Sequence, residues 1–172
     1  DALREAYQQL PAAEIARVES TYLNNTFTLK DGTTLSFDAL ELHRCCVMYL
    51  EAIGFAKQVY DLLVEKRGEG NFDFEMSIDE TEAPTVPQHH LFIINELIYN
   101  GVVVESLAPR FIGEFQKAID YIGDLHEFEK QFNVHCQIAK TYGNYKVSVH
   151  SGRDKFSAYP AIGKCTAGRL HV

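Results

Sequence analysis

Acidic, hydroxyl and imidazole side chains gather at the downstream ends of three short runs that alternate apolar and polar residues. Asp79, Glu80 and Glu82 end NFDFEMSIDETE, Ser106 to Arg110 end VVVESLAPR, and His150, Ser151, Asp154 and Lys155 sit in KVSVHSGRDK. An imidazole converging with carboxylates is the nitrogen and oxygen donor set of a zinc, manganese or nickel site. Arg110 and Lys155 have the chemistry to clamp a carboxylate or phosphate, the first as a bidentate fork and the second as a point charge. Plainer readings stand beside these: a hydrogen-bonded histidine at a strand end, a solvated acidic loop favouring the positive end of the next helix, and two cations that neutralise neighbouring acids. His89 and His90, in the first turn of a helix, read as surface or supporting groups, and packing or exposure accounts for His43, His126 and His135. No GxGxxG, GKS/GKT or GxSxG pattern is present, so the commonest dinucleotide, nucleotide and serine-hydrolase signals are missing.

The elements that must position these residues alternate strand and helix. After Gly70 the sequence predicts a strand with Phe72, Phe74, Met76 and Ile78 on one face and Asp73, Glu75, Ser77 and Asp79 on the other. A helix from about Pro87 to Asn100 follows, with Leu91, Ile94, Leu97 and Ile98 as its buried stripe. Then come the strand VVVESL, a short helix near 113–120, and a helix opened by Asp124 and Glu127 spaced as a capping box. KVSVHS is the next strand, and GRLHV opens a fourth. This order predicts parallel βαβ units in an α/β fold. In such folds ligands sit at the C-terminal strand ends, where the three clusters should meet. A polar face on the first strand favours a barrel lumen over a doubly wound sheet, so residues 71–172 read as part of a (β/α) TIM-like barrel, too short to close. Residues 1–70 read as a helical region interrupted at Pro11, a hairpin at about 26–37 turning on Asp31-Gly32, and a long helix over 38–66 with Leu40, Leu42, Val47, Leu50, Ile53, Phe55, Val59 and Leu62 as its apolar face.

Composition narrows the partners. With 172 residues and 46% hydrophobic content the chain can bury a real core in one or two domains. A net charge of −8 disfavours nucleic acid and anionic membranes as partners, and no apolar run approaches the roughly 20 residues that span a bilayer. A small molecule fits better. Cys45, Cys46, Cys136 and Cys165 show neither CxxC nor regular spacing, which predicts reduced thiols and a cytoplasmic protein. The chain opens at Asp1 without an initiator methionine, as a piece of something longer would.

FEMSIDETEAPTVPQHHLFIINEL, SLAPRFIGEFQKAIDYIGDL and YKVSVHSGRDKFSAYPAIGK together resemble the tagaturonate/fructuronate epimerase family of bacterial hexuronate breakdown. The likeness covers residues 72–172, is weaker before them, and marks the chain as an internal fragment. It implies a divalent-metal-dependent epimerase (zinc, manganese or nickel) acting on a keto-uronate. The inverted carbon is not adjacent to the ketone, so the resemblance implies retro-aldol cleavage and re-addition rather than simple proton exchange. Carried onto this sequence, it makes His150 and His171 metal ligands and Asp79 or Glu80 the acid/base. Arg110 and Lys155, with Ser151 and Asp154, become the substrate-binding set. Arg153 departs from the pattern, standing where a small polar residue is expected. Alternatives are a metal-dependent aldolase or sugar isomerase on a barrel, and a non-catalytic carbohydrate-binding domain. A second copy covering the open sheet edges would give a homo-oligomer.

Overall fold

The computed structural model describes residues 2–81 and 83–172. Two helices, α1 (Ala2–Gln8) and α2 (Ala12–Tyr22), are separated at Pro11, which lacks the amide hydrogen needed to continue the first and takes the N-cap place of the second. Strands β1 (Thr26–Thr28) and β2 (Thr34–Ser36) form the expected hairpin, with Gly32 at φ 89° supplying the left-handed residue of its turn. Helix α3 (Ala39–Arg67) starts where the Asp38 carboxylate accepts the Glu41 amide at 2.7 Å. Its buried side is Leu42, Cys45, Cys46, Tyr49, Ile53, Ala56 and Tyr60, whereas Leu40, Val47, Phe55 and Leu62 are exposed. The expected apolar face is thus corrected: apolar residues ring this helix, and only one stripe meets the core.

Strands β3 (Glu75–Ile78), β4 (Ser106–Pro109), β5 (Lys146–Ser148) and β6 (Leu170–His171) form one parallel sheet in that spatial order. Between them run α4 (Pro87–Tyr99), α5 (Leu125–Thr141), and a 3-10 turn (Phe156–Ala158) leading into α6 (Tyr159–Thr166). Leu107, Val147 and Val149 are buried among the core side chains, as the alternation predicts. On α4, Leu91, Ile94 and Leu97 are buried but Ile98 is half exposed. Among the described residues no helix is long and apolar enough to cross a membrane. The sheet is α/β and parallel but does not close on itself.

The helix expected at 113–120 is absent. Gly113 (φ 90°) and Ala118 (φ 63°) turn the chain out of helical geometry, and Glu114 instead bridges to Ile122. The carbonyls of Gln116 and Ile119, which a helix would use internally, accept the Lys155 ammonium at 2.6 and 2.5 Å. A tertiary donor has overridden a helix-prone sequence.

A buried ion pair joins the N-terminal helices to α4. Glu96 accepts from Arg17 at 3.1 and 2.5 Å and from the Tyr22 hydroxyl at 2.7 Å, and the Arg17 guanidinium lies 4.1 Å from the Tyr99 ring centroid.

Candidate active site

One parity of the sheet carries apolar residues to the helices, and the other carries polar residues to the opposite face. On β3 and its exit these are Glu75, Ser77 and Asp79. Ser106 stands directly beside Glu75 in the register of β3 and β4. Ser148 of β5 is paired with His171 of β6, and His150 follows two residues after Ser148.

These side chains meet at Glu75. Its Oε1 lies 2.8 Å from His150 Nε2, its Oε2 lies 2.9 Å from His171 Nδ1, and Oε2 also accepts from the Ser106 hydroxyl. Partial burial alone would raise the Glu75 pKa; donors from Ser106, His150, His171 and Ser148 outweigh it and hold the carboxyl down at about 2. His150 is clasped from both sides, because its Nδ1 lies 2.8 Å from Asp79 Oδ2. Burial pulls the His150 pKa down, but the two carboxylates prevail and raise it. Each ring nitrogen of His150 thus faces a carboxylate oxygen. Ser77 donates to the other oxygen of Asp79 at 2.5 Å, fixing that carboxylate.

A cavity of about 360 Å³ opens beside His150 and Asp79 and is lined also by Arg110, Phe111, Phe115 and Ser151. Two loops are fastened together at its edge: Thr85 donates its amide to the Arg110 carbonyl at 2.8 Å, and the Arg110 amide donates to the Thr85 hydroxyl at 3.0 Å. Ser151, at φ 53°, turns the chain away after His150. The volume suits a small polar molecule, with one guanidinium, two carboxylates and an imidazole at its wall.

Not every expected site residue reaches this place. His150, His171, Asp79, Arg110 and Ser151 gather at the polar end of the sheet. Glu80 is exposed and does not line the cavity, and Glu82 lies outside the described residues. Lys155 is corrected from substrate clamp to buried tie: it is fully enclosed, with its ammonium spent on the two loop carbonyls. Asp154 accepts the Ala118 amide at 2.9 Å and borders a second cavity of about 410 Å³ with Arg153, so it too holds the 110–124 loop rather than facing His150. Both residues follow the strand closely, but the turn at 151–155 sends them away from its end. Glu75 sits at the start of its strand, where the rule that ligands gather at strand ends does not point. The polar alternation of Glu75, Ser77 and Asp79 was the signal that marked it.

The four Cα traces of the sheet and the helical region recur in known proteins. The tagaturonate epimerase (UxaE) family profile matches residues 1–172. A tagaturonate/fructuronate epimerase from Thermotoga maritima is 42% identical over 156 residues, which are 91% of this chain and 32% of that protein. The native crystal structure of the fructuronate-tagaturonate epimerase UxaE from Cohnella laeviribosi matches with a TM-score of 0.93 and 44% identity, covering 99% of this chain and 34% of that one. Its complex with two glycerols gives a TM-score of 0.91 over the same shares. The chain spans about a third of the length of these relatives. It belongs to the tagaturonate epimerase family.

Proposed function

We propose that this chain supplies one wall of the active site of a divalent-metal-dependent epimerase that interconverts tagaturonate and fructuronate. The observation that carries the reading is the capture of both Glu75 oxygens by imidazoles from successive parallel strands, beside a cavity of substrate size. The adjacent order β3-β4-β5-β6 with intervening helices supports a (β/α) barrel completed by the rest of the enzyme. The four unpaired cysteines fit a reducing cytoplasm.

The residue types suit a cation, although the two imidazoles meet opposite oxygens of Glu75 and would have to draw together around it. His150 and His171, with Glu75 between them, offer two imidazoles and a carboxylate, and Asp79 behind His150 is the carboxylate partner that orients a ligating ring. When bound, zinc, manganese or nickel supplies Lewis-acid polarisation of the substrate ketone. The remaining work falls to the chain. Arg110, helped by Ser151, holds the substrate carboxylate at the cavity wall. Asp79, unlike Glu80, lies within reach to take the proton of the hydroxyl on the inverted carbon. As that proton leaves, the C–O bond becomes a carbonyl, the adjacent C–C bond breaks, and its electron pair passes into an enediolate. The aldehyde turns, the C–C bond re-forms on the other face, and the proton returns. Phe111 and Phe115 supply the aromatic part of the cavity wall.

Two measurements on the full-length enzyme test this. Turnover in D₂O should leave the hydrogen of the inverted carbon in place, since no C–H bond breaks there; deuterium at that carbon would refute retro-aldol chemistry. His150→Ala should abolish epimerisation and lower metal content, and a fully active, fully metallated variant would overturn the ligand assignment. Release of two fragments instead of one isomer would identify an aldolase.

A further inference from the structure

A second group of ligand-bearing side chains lies away from the sheet, where α3 packs on the first turn of α4. Glu41 and Cys45 are four residues apart on α3 and share a face, while His89 is the third residue of α4, whose start is set by Pro87. Glu41 Oε1 is 2.8 Å from His89 Nε2. The carboxylate oxygen, the Cys45 sulfur and the His89 nitrogen all lie within 4.8 Å of one another. Cys45 is fully buried, and the side chains of His89 and Glu41 retain 14% and 21% exposure. The cluster is therefore walled by protein on the sulfur side and touches solvent on the other.

Its neighbours hold these atoms in place. Arg44 donates to the second oxygen of Glu41 at 3.3 Å, leaving Oε1 turned toward His89. Tyr49, one further turn along α3, places its hydroxyl 2.9 Å from His89 Nδ1, with the two rings edge to face. A phenol both donates and accepts. It can therefore donate to Nδ1 while Nε2–H faces Glu41, or accept from Nδ1–H and leave the Nε2 lone pair free. The second arrangement is the partner geometry usual for a metal-ligating histidine.

We propose that Glu41, Cys45 and His89 form a site for a thiophilic divalent cation, with zinc the best match, which pins α3 to the start of α4. One carboxylate, one thiolate and one imidazole are donors zinc accepts, and three protein ligands leave a fourth position for water on the solvent side. Zinc bond lengths of about 2.0–2.3 Å set tetrahedral donors roughly 3.3–3.7 Å apart. Glu41 and His89 must separate slightly, and the sulfur must stay within its present range. On binding, the Cys45 thiol loses its proton to solvent as the sulfur–metal bond forms. The site also has a bearing on the sheet: α4 begins at the end of the loop that leaves Asp79, so a cation at His89 anchors that loop from behind.

The test uses the full-length protein titrated with Co²⁺ alone. One Co²⁺ should bring a near-ultraviolet thiolate charge-transfer band that Cys45→Ser removes and Cys46→Ser and Cys136→Ser retain. Tyr49→Phe should keep the band but weaken Co²⁺ affinity about tenfold, the low end for losing the partner of a ligating imidazole. His89→Gln, with the thiol intact, should weaken affinity at least tenfold. This last variant keeps the test decisive if Cys45→Ser folds poorly. A saturated protein with no thiolate band, a band that survives Cys45→Ser, or unchanged affinity in His89→Gln would overturn the proposal. The cluster at Glu75 contains no sulfur, so loss of this band and loss of epimerase activity report on different sites.

Discussion

Acid should loosen this protein at a buried pair of histidines, and the hydrogen bonds fix how. His90 of α4 and His135 of α5 are buried, with their Nδ1 atoms 2.8 Å apart, and His90 Nε2 lies 2.7 Å from the Tyr145 hydroxyl. The Thr85 backbone beside His135 favours a hydrogen on its other ring nitrogen. With that hydrogen in place one neutral arrangement fits the two hydrogen bonds: His135 Nδ1 is a bare acceptor, His90 Nδ1–H donates to it, and Tyr145 donates to His90 Nε2. A proton added to either ring sets two donors face to face. Burial holds His135 down at about 4, with the Thr85 backbone opposing; burial, then the neighbouring His135, holds His90 well below its usual value. Both folded values lie below the unfolded value, so the unfolded chain takes up protons first. Stability is intact near pH 7 and is lost as pH falls through about 6.5 toward 4. For His135 alone, a drop from 6.5 to about 4 at about 1.4 kcal/mol per pH unit is worth roughly 3 kcal/mol, of which roughly 2 kcal/mol falls between pH 7 and pH 5. Urea unfolding of the wild type and of His135→Leu at those two pH values measures it. The variant strands the His90 N–H and should be about 1–3 kcal/mol less stable at pH 7. Its further loss at pH 5 should be about 2 kcal/mol smaller than that of the wild type. Equal losses would refute the assignment of the acid sensitivity to this pair.

Two other perturbations bear on the walls of the site and on its support. Lys155→Met leaves the Gln116 and Ile119 carbonyls without their donor; thermal stability should fall by about 2 kcal/mol, and steady-state kinetics should show KM rising more than kcat falls, because the loop carrying Phe111 and Phe115 loosens. Glu96→Gln breaks a buried pair in which Glu96 is 1% and Arg17 18% exposed; about 3 kcal/mol should be lost in chemical denaturation, and limited proteolysis should cut first within α1 and α2.

What the sequence shows well is what depends on local pattern. Val147 and Val149 packing into the core while Ser148 and His150 face the other way follows from the two-residue period of a strand. The turn at Asp31-Gly32 and the break at Pro11 follow from backbone chemistry that no distant contact needs to supply. Misreadings arise where a distant partner decides. FQKAID has ordinary helical propensity, yet a lysine 36 residues away takes its Ile119 carbonyl. Lys155 itself looks like a charge in a polar turn, and only the folded loop shows it enclosed. His90 reads as a first-turn surface residue, and its burial depends on α5 and Tyr145 arriving beside it. Glu75 shows in the alternation of its strand, but it lies at the strand's start, away from the ends where ligands gather. In the folded sheet, Ser106, Ser148 and two imidazoles converge on it, and no rule local to β3 could supply those four partners.

The same alternation accounts for why such a polar cluster can exist in so small a sheet. A carboxylate removed from water is costly unless donors replace the lost hydration, and Glu75 has four. Those donors are held in place by strands whose other parity, Ile78, Leu107, Val147 and Val149, is buried among the core side chains. Each strand thus separates stability and chemistry by one residue. The consequence is a strict register: shifting β5 by one position would bring Val149 to Glu75 and push the His150 ring into an apolar layer, losing a donor on one face and burying an unpaired imidazole on the other. The cluster and the core therefore select the same register, and the residues that could perform proton transfer sit on backbone that the hydrophobic face has already fixed.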